Sequence, residues 1–538
     1  MDPEPVAATG GAESAHPLAA SQPLSPRSHA LAVVGLAALA VAVRVVVWLR
    51  AGAMMNDGPT FIGIARKFAE GAWQEAFAHA YHPLYPLLMA GVHPWVSDWE
   101  KAGVVVSIAS SVLAVVFLYD FLRRAFGGWV PVVGCLLLAV HPYAVPFSAD
   151  VQSEGLYMAW FLGAVALGWR TLESPRLAPA VGAGVLSGLA YLTRPEGLGV
   201  ALAVAVVLAS LGLRRKRTPS SVARSVGAVG LGAVLLAAPY AATLGGDGGE
   251  VRLTRKKSAV VIATLDSRNL DKAPLGPRSG KRGLRGVGVP TRVWHSVSEV
   301  AGVARHSFRL DHWLIAGLGA VAVGGPAGLR AGFVAALAGL YLVVLVGLQA
   351  TSGYVSMRHA LPPLLPLLGY VALGVPSLGR VALFLPRVLA RRGPASPRVA
   401  LLVGLVILVG ASAAMATRPQ RQDRAAPRAA AEWLATHGGA KRIAATKERD
   451  AYYAQANFSR LPRPVGRDGV DWIERLRGRH VRYAIIDERT ARDYPELGGA
   501  VLDPRLRVLH TAEAYGHKAS VVEIVGVRGV RSGKASGR

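Results

Sequence analysis

Uncharged apolar runs of about 18 residues or longer recur along the chain, long enough as helices to cross a hydrocarbon core of ~30 Å. Eleven expected crossings, several of them short, lie near residues 30–50, 102–121, 130–147, 153–169, 178–193, 197–213, 225–243, 312–327, 331–350, 359–378 and 399–416. A soluble core would show stripes or alternation instead. Lipid offers the backbone no outside partner, so the runs are read as helices. The pattern predicts a polytopic α-helical membrane protein with about 11 transmembrane helices.

Three segments break the rhythm. Residues 51–101 follow the first crossing. Phe61, Ile64, Ala65 and Phe68 recur there at i, i+3, i+4, i+7, with Arg66, Lys67 and Glu70 on the other face. That spacing predicts an amphipathic helix lying in the membrane interface. Residues 245–311 form a long basic loop ending in "VWHSVSEVAGVARHSF", whose spacing predicts a second interfacial helix. After the last crossing, "AAAEWLATHGG" reads as a helix stopped by glycine and "GVDWIERLRG" as another. "RIAAT", "RYAIID" and "ASVVEIVGV" read as strands. Residues 418–538 are therefore expected to form a small α/β domain. It carries no nucleophile–base or metal-ligand pattern, which favours a structural or substrate-guiding role over a catalytic one. Residues 1–29 are rich in Ala, Ser, Pro and Gly and are expected to be disordered. The run from Leu31 has no clear cleavage site and is read as a retained crossing. The expected division is 1–29, 30–417 and 418–538.

Charge orients this layout. One set of turns carries Arg123 and Arg124, Arg170 and Arg176, the run Arg214, Arg215, Lys216, Arg217, and Arg380, Arg387, Arg391, Arg392 and Arg398. The opposite short turns carry almost no positive charge. Lys and Arg collect on the cytoplasmic side, so the N-terminus is placed inside and residues 418–538 outside. The net charge of +27 would suggest nucleic acid in a soluble protein. Here topology and attraction to anionic membrane lipids account for it, and no aromatic-interleaved basic motif points to a nucleic-acid partner. The single cysteine, Cys135, excludes an internal disulfide. The Ala, Gly, Val and Arg bias suggests the plasma membrane of a bacterium. No internal repeat of the secondary-transporter kind is visible.

Candidate chemistry gathers on the outer side. Asp57, in "NDGPT", reads either as a helix cap with Pro59 in the first turn or as a general base at the membrane surface. In "YHPLYPLLMAG", His82 and Tyr85 read either as interfacial anchors or as the lining of a cavity beside Asp57. Asp150 and Glu154, in "FSADVQSEGLYMAW", are acids at the start of a crossing: helix-dipole partners or functional carboxylates. Arg194 and Glu196, in "LAYLTRPEGLGVAL", form either a local ion pair or a pair that orients an anionic headgroup. Arg358, in "GYVSMRHALPPLLPLL", either snorkels to the interface or grips a phosphate through its planar fork.

In order, "NDGPTFIGIARKFAEG", "YHPLYPLL", "SEGLYMAWFLGAVAL", "LSGLAYLTRPEGL" and "MRHALPPLLPLLGY" resemble the GT-C membrane glycosyltransferases that use polyprenyl-phosphate sugars. The likeness is closest to the protein O-mannosyltransferase, lipid A aminoarabinose transferase and RgtA/B/C/D-like branch. The resemblance implies an inverting transfer from a polyprenyl-phosphate sugar to a lipid, glycan or protein acceptor at the outer face. It places the catalytic acid of the first outer loop on Asp57, the acid of the fourth-crossing motif on Glu154, and the lipid-phosphate arginine on Arg358. It also implies basic residues at Lys256 and Lys257. Many members carry a second acid after the first, but here Gly58 follows, so a share for Glu154 or Asp150 stays open. No cofactor is required by this chemistry, and a divalent cation on Asp57 or Glu154 stays open. The alternatives from other classes are a lipid-linked sugar transporter or flippase and an inactive lipid-binding scaffold.

Overall fold

The computed structural model describes residues 25–244, 254, 289–323, 328–390, 393–462, 471–492 and 503–526. Lys256, Lys257 and most of the expected outer loop 245–311 lie outside the described residues. The chain divides into two compact units. One draws on Met1–Val45, Ile64–Ala149 and Ser153–Thr417; the other on Val46–Gly63, Asp150–Gln152 and Arg418–Arg538.

The helical unit holds α1 (Pro26–Leu49), α2 (Gly58–Ala69), α3 (Trp73–Phe77), α4 (Leu84–Val96), α5 (Trp99–Ala125), α6 (Val130–Ala139), α7 (Ala144–Phe147), α8 (Glu154–Glu173) and α9 (Leu177–Thr193). It continues with α10 (Gly199–Leu213), α11 (Pro219–Leu244), α12 (Val289–Phe308), α13 (Leu310–Ala322), α14 (Gly328–Ser352), α15 (Met357–Leu364), α16 (Leu368–Leu389) and α17 (Pro397–Ala416). The end of α1 and the start of α2 are assigned to the second unit.

Each of the eleven apolar runs falls on one or more of these helices. Among the described residues, seven helices are long and apolar enough to cross a membrane, while Val130–Ala139, Leu177–Thr193 and Leu310–Ala322 are shorter. One of the seven, Met357–Phe384, is interrupted by proline. Pro362 and Pro363 in α15 lack the N–H groups that would bond the carbonyls of Arg358 and His359, and a 3₁₀ turn at Leu365–Leu367 joins α15 to α16. Large side chains knit the bundle: Leu118, Leu122, Phe161, Phe333 and Leu368 share one buried core.

The two amphipathic helices form where the periodicity placed them. The apolar face of α2 is taken up by protein, whereas α12 keeps Val293, Trp294 and Val297 exposed. Ile64 and Phe68 of α2 pack with Ala76, Tyr81 and Leu87, while Arg66 stays exposed. Val300 of α12 packs with Leu345 of α14 and Ala360 of α15.

The second unit is built on a five-stranded sheet in the order β2-β1-β3-β5-β4. The strands are β1 (Arg442–Ala445), β2 (Asn457–Arg460), β3 (Tyr483–Asp487), β4 (Leu506–Ala514) and β5 (His517–Ile524). β1 runs parallel to β2 and to β3, and β5 runs antiparallel to β3 and β4. The β4–β5 hairpin closes on Tyr515 and Gly516, both at positive φ, the geometry of the favoured two-residue turn. The helices are α18 (Ala425–His437), α19 (Glu448–Tyr453), α20 (Trp472–Gly478) and α21 (Glu488–Ala491). Asp471 caps α20 by accepting from the Glu474 N–H at 2.8 Å. This sets Trp472, Ile473 and Leu476 against Ala444, Ala484, Ile486 and Val522. Each large aliphatic side chain buried here, such as Ile473 or Leu476, contributes roughly 1.5–3 kcal/mol.

Burial pushes the carboxyl of Asp450, in α19, from 3.8 up to about 6, against the pull of Arg449 and Arg424. A raised folded-state pKa contributes stability that is complete below the unfolded value and lost as pH rises through the folded one. The window is therefore about pH 4 to 6, and the shift corresponds to at most about 3 kcal/mol. We expect Asp450→Asn to remove this pH dependence, so that the variant gains on the wild type between pH 4 and pH 7. Amide exchange of β1 and β3, compared between the two proteins at each pH, reads the difference. A constant difference across that range would rule out titration of Asp450.

Candidate active site

Four of the residues singled out by sequence come together in the helical unit: Glu154, Arg194, Glu196 and Arg358. Local chemistry places each of them. Proline restricts the residue before it to extended backbone, and Arg194, preceding Pro195, sits at φ −154°, ψ 141°, ending α9 at Thr193. Pro195 then opens a 3₁₀ turn, Pro195–Leu198. That turn lies against the end of α9 so closely that a Cβ on Gly197 would stand 2.2 Å from Tyr191 N, so only glycine fits. The result brings Glu196 back beside Arg194.

Arg358 is placed by a capping box. The Ser356 N–H donates to His359 Nδ1 at 3.2 Å and fixes the start of α15 one residue before Arg358. Glu154 opens α8, where an acid suits the positive end of the helix.

The charges interlock. Arg194 donates through Nη1 to Glu154 Oε1 at 2.7 Å and through Nε to Glu196 Oε1 at 2.7 Å. Arg358 Nη1 reaches the same Glu154 oxygen at 3.3 Å. The Tyr341 hydroxyl donates to the Glu196 carbonyl at 2.9 Å, and the Arg194 guanidinium stands 5.7 Å from the centre of the Tyr157 ring. The side chains of Arg194 and Glu154 are 6% and 4% exposed, whereas that of Arg358 is 24% exposed. Arg358 is thus the most exposed member of the group, ahead of Glu196 at 14%. Two acids and two arginines balance, so the buried charges are compensated and hydrogen-bonded, as low-dielectric surroundings require.

The opposite end of α8 has a different character. Arg170 grips Asp120 of α5 through Nε at 3.0 Å and Nη2 at 2.7 Å, and Arg124 bonds Glu173 at 3.2 Å. The basic turns and the Glu154 group therefore sit at opposite ends of one helix of 20 residues, a separation of ~30 Å.

An apolar groove of about 450 Å³ lies among α12, α13 and α14, lined by Val300, Ala304, Trp313, Leu342 and Val346, with Arg305 also in its wall. Val300 and Val346 belong to the same packed cluster as Ala360, two residues along α15 from Arg358.

His82 and Tyr85 are buried, at 3% and 0% exposure. His82 Nδ1–H donates to the Tyr191 carbonyl at 2.5 Å, and its ring meets Tyr191 and Tyr240 edge-on. The Tyr85 hydroxyl donates to the Gly103 carbonyl at 3.0 Å and lies 3.0 Å from Ser107 Oγ. Both tie α4 and its approach into the helix packing.

Asp57 and Asp150 belong to the second unit. Asp57 immediately precedes α2, and its carbonyl accepts the first helical bond, from Phe61 N–H at 3.1 Å. Asp150 is not part of the Glu154 group. Its Oδ1 accepts from Met55 N–H at 3.1 Å and Val151 N–H at 2.7 Å, and its Oδ2 accepts from Arg421 Nη2. Burial raises the Asp150 pKa, opposed by Arg421 and the two backbone donors.

Sequence reasoning missed Tyr157, Tyr341, Arg421 and Arg44. Arg44, buried in α1, donates to Ser148 Oγ at 2.7 Å and to the carbonyls of Ala40 and Ala139. A charge within an apolar run was the available signal. Among the described residues no group of three or more His, Cys, Asp or Glu could hold a metal ion.

Residues 79–240 match the family model described as dolichyl-phosphate-mannose-protein mannosyltransferase. The match takes in His82, Tyr85, Asp150, Glu154, Arg194 and Glu196 and leaves out Asp57 and Arg358. No curated protein matches the sequence. Among solved structures, ArnT from Cupriavidus metallidurans bound to undecaprenyl phosphate is similar at 14% identity and a TM-score of 0.54, over 92% of this chain and 99% of that one. The oligosaccharyltransferase of Archaeoglobus fulgidus, in complex with zinc and sulfate, is similar at 13% identity and a TM-score of 0.53, over 86% of this chain and 68% of that one. The chain is a multi-pass membrane protein of the GT-C fold, and its segment 79–240 is similar to the protein mannosyltransferases.

Proposed function

We propose that the protein is an inverting membrane glycosyltransferase that moves a sugar from a polyprenyl-phosphate donor to a lipid, glycan or protein acceptor at the outer face of the membrane. The observation that carries this reading is the Glu154–Arg194–Glu196–Arg358 group, with Arg358 partly exposed at its edge in a GT-C fold. In that reading the donor phosphate takes up Arg358, whose bond to Glu154 is the longest of the group. The apolar groove beside α15 suits an isoprenoid tail.

The chemistry then balances as one displacement. The acceptor oxygen bonds to the anomeric carbon while the bond from that carbon to the phosphate oxygen breaks, and the electron pair leaves on the phosphate. Arg358 stabilises the charge that builds there. Asp57 takes the acceptor's proton. The leaving group is already ionised, so no general acid is needed, and a single displacement needs no second nucleophile.

The test uses the full chain reconstituted in lipid with a panel of synthetic polyprenyl-phosphate sugars and an extract of envelope acceptors. We expect acceptor-dependent release of polyprenyl phosphate, and a raised donor KM in Arg358→Gln. Failure to release it from any donor would remove the transferase reading. An unchanged KM in the variant would remove Arg358 from phosphate binding.

A further inference from the structure

The short segment that carries Asp57 is held on several sides within the second unit. The Gly52 N–H donates to the Gln420 carbonyl at 2.9 Å. Arg421 Nε donates to the Ala53 carbonyl at 2.7 Å, while its Nη2 holds Asp150. The next residue is gripped at both backbone groups: Met54 N–H donates to the Tyr453 hydroxyl at 2.9 Å, and Arg449 Nη1 donates to the Met54 carbonyl at 2.9 Å. Met55 N–H donates to Asp150. Beyond Asp57, Thr60 Oγ1 donates to Glu448 at 3.3 Å.

Four consecutive residues, Gly52 to Met55, are therefore bonded through their backbone, and Asp57 follows two residues later. The gripping side chains are themselves fixed. Arg449 is 3% exposed and Tyr453 7%, and both stand on α19. Arg421 holds a left-handed backbone at φ 51°, sparsely populated for a side chain of its size. The fit is close: a Cβ on Gly52 would stand 2.3 Å from the Arg421 carbonyl oxygen.

We propose that Arg421, Arg449 and Tyr453 are positioning residues: the C-terminal α/β domain sets the place of Asp57 by clasping residues 52–55. This rests on the reading of Asp57 as proton acceptor. A displacement of about 1 Å at a reacting group can cost on the order of 100-fold in rate, so a clasp that fixes the backbone beside Asp57 has kinetic consequences without touching substrate.

The experiment uses the full chain in lipid nanodiscs and three variants, Tyr453→Phe, Arg449→Met and Gly52→Ala. Hydrogen exchange of residues 52–58 is measured first, with β1 and β3 as the internal reference for folding; turnover is measured with the donor that the unaltered protein accepts. The expected result is faster exchange at Met54 and Met55 with the sheet still protected. With it comes a kcat lowered by roughly 10- to 100-fold at unchanged donor KM. Tyr453→Phe deletes one hydroxyl and keeps the ring, so it reads the clasp even if the other two variants disturb the domain. Unchanged exchange overturns the clasp. Faster exchange with wild-type kcat overturns the positioning role. Absence of transfer by the unaltered protein speaks against the glycosyltransferase reading instead, and the exchange result reads the clasp independently of it.

Discussion

Asp57→Asn should lose transfer almost completely, by a factor of about 10²–10⁴ in turnover, while the protein stays folded and inserted. The substitution separates the two roles that the position invites. Asn caps a helix about as well as Asp, and the Asp57 carbonyl that accepts from Phe61 N–H is untouched by a side-chain change. What Asn lacks is a lone pair basic enough to take a proton from an acceptor hydroxyl. The expected cost in stability is therefore under about 1 kcal/mol, and the whole effect falls on chemistry. Turnover of the purified variant, with exchange of the first amides of α2 as control, measures both. Wild-type turnover would show that Asp57 only begins a helix.

The second large effect is on stability. Arg194→Met should destabilise the helical unit by about 3–5 kcal/mol, the cost of removing one partner from a buried, hydrogen-bonded charge group. Arg194 serves two acids at 2.7 Å each. Without it Glu154 is left with Arg358 at 3.3 Å, at an exposure of only 4%. Adding Glu154→Gln to the same chain should recover part of the loss, since it removes a stranded charge. Thermal unfolding in detergent, compared across the single and double variants, tests the coupling. A single variant within about 1 kcal/mol of the wild type would mean that the group behaves as an exposed pair.

The helices were legible because apolar length and arginine-bearing turns are one-dimensional signals. The same holds for "RPEGL", where Pro195 dictates the backbone of Arg194, and for α18, which ends at Gly438 as its glycine stop suggested. Pairings at long range were not legible. Arg358 and Glu154 are 204 residues apart, and nothing local to either names the other. Proximity in sequence also misled: Asp150 lies four residues before Glu154, yet it bonds Met55 and Arg421. Within the α/β domain the missed strands have physical reasons. β2, "NFSR", is a four-residue edge strand with little burial and hence no apolar alternation. β4, "LRVLHTAEA", slips its register between Val508 and His510, which breaks the period of two that marks a strand.

The bond between Met54 and Tyr453 joins residues 399 apart. At a synthesis rate of about 5–20 residues per second, ~20–80 s separate the birth of the two partners. Met55 can meet Asp150 early, but the bond from Met54 waits until residue 453 has been made. A chain that ends between residues 417 and 452 has every described helix of the bundle and still lacks the Tyr453 hydroxyl that holds Met54.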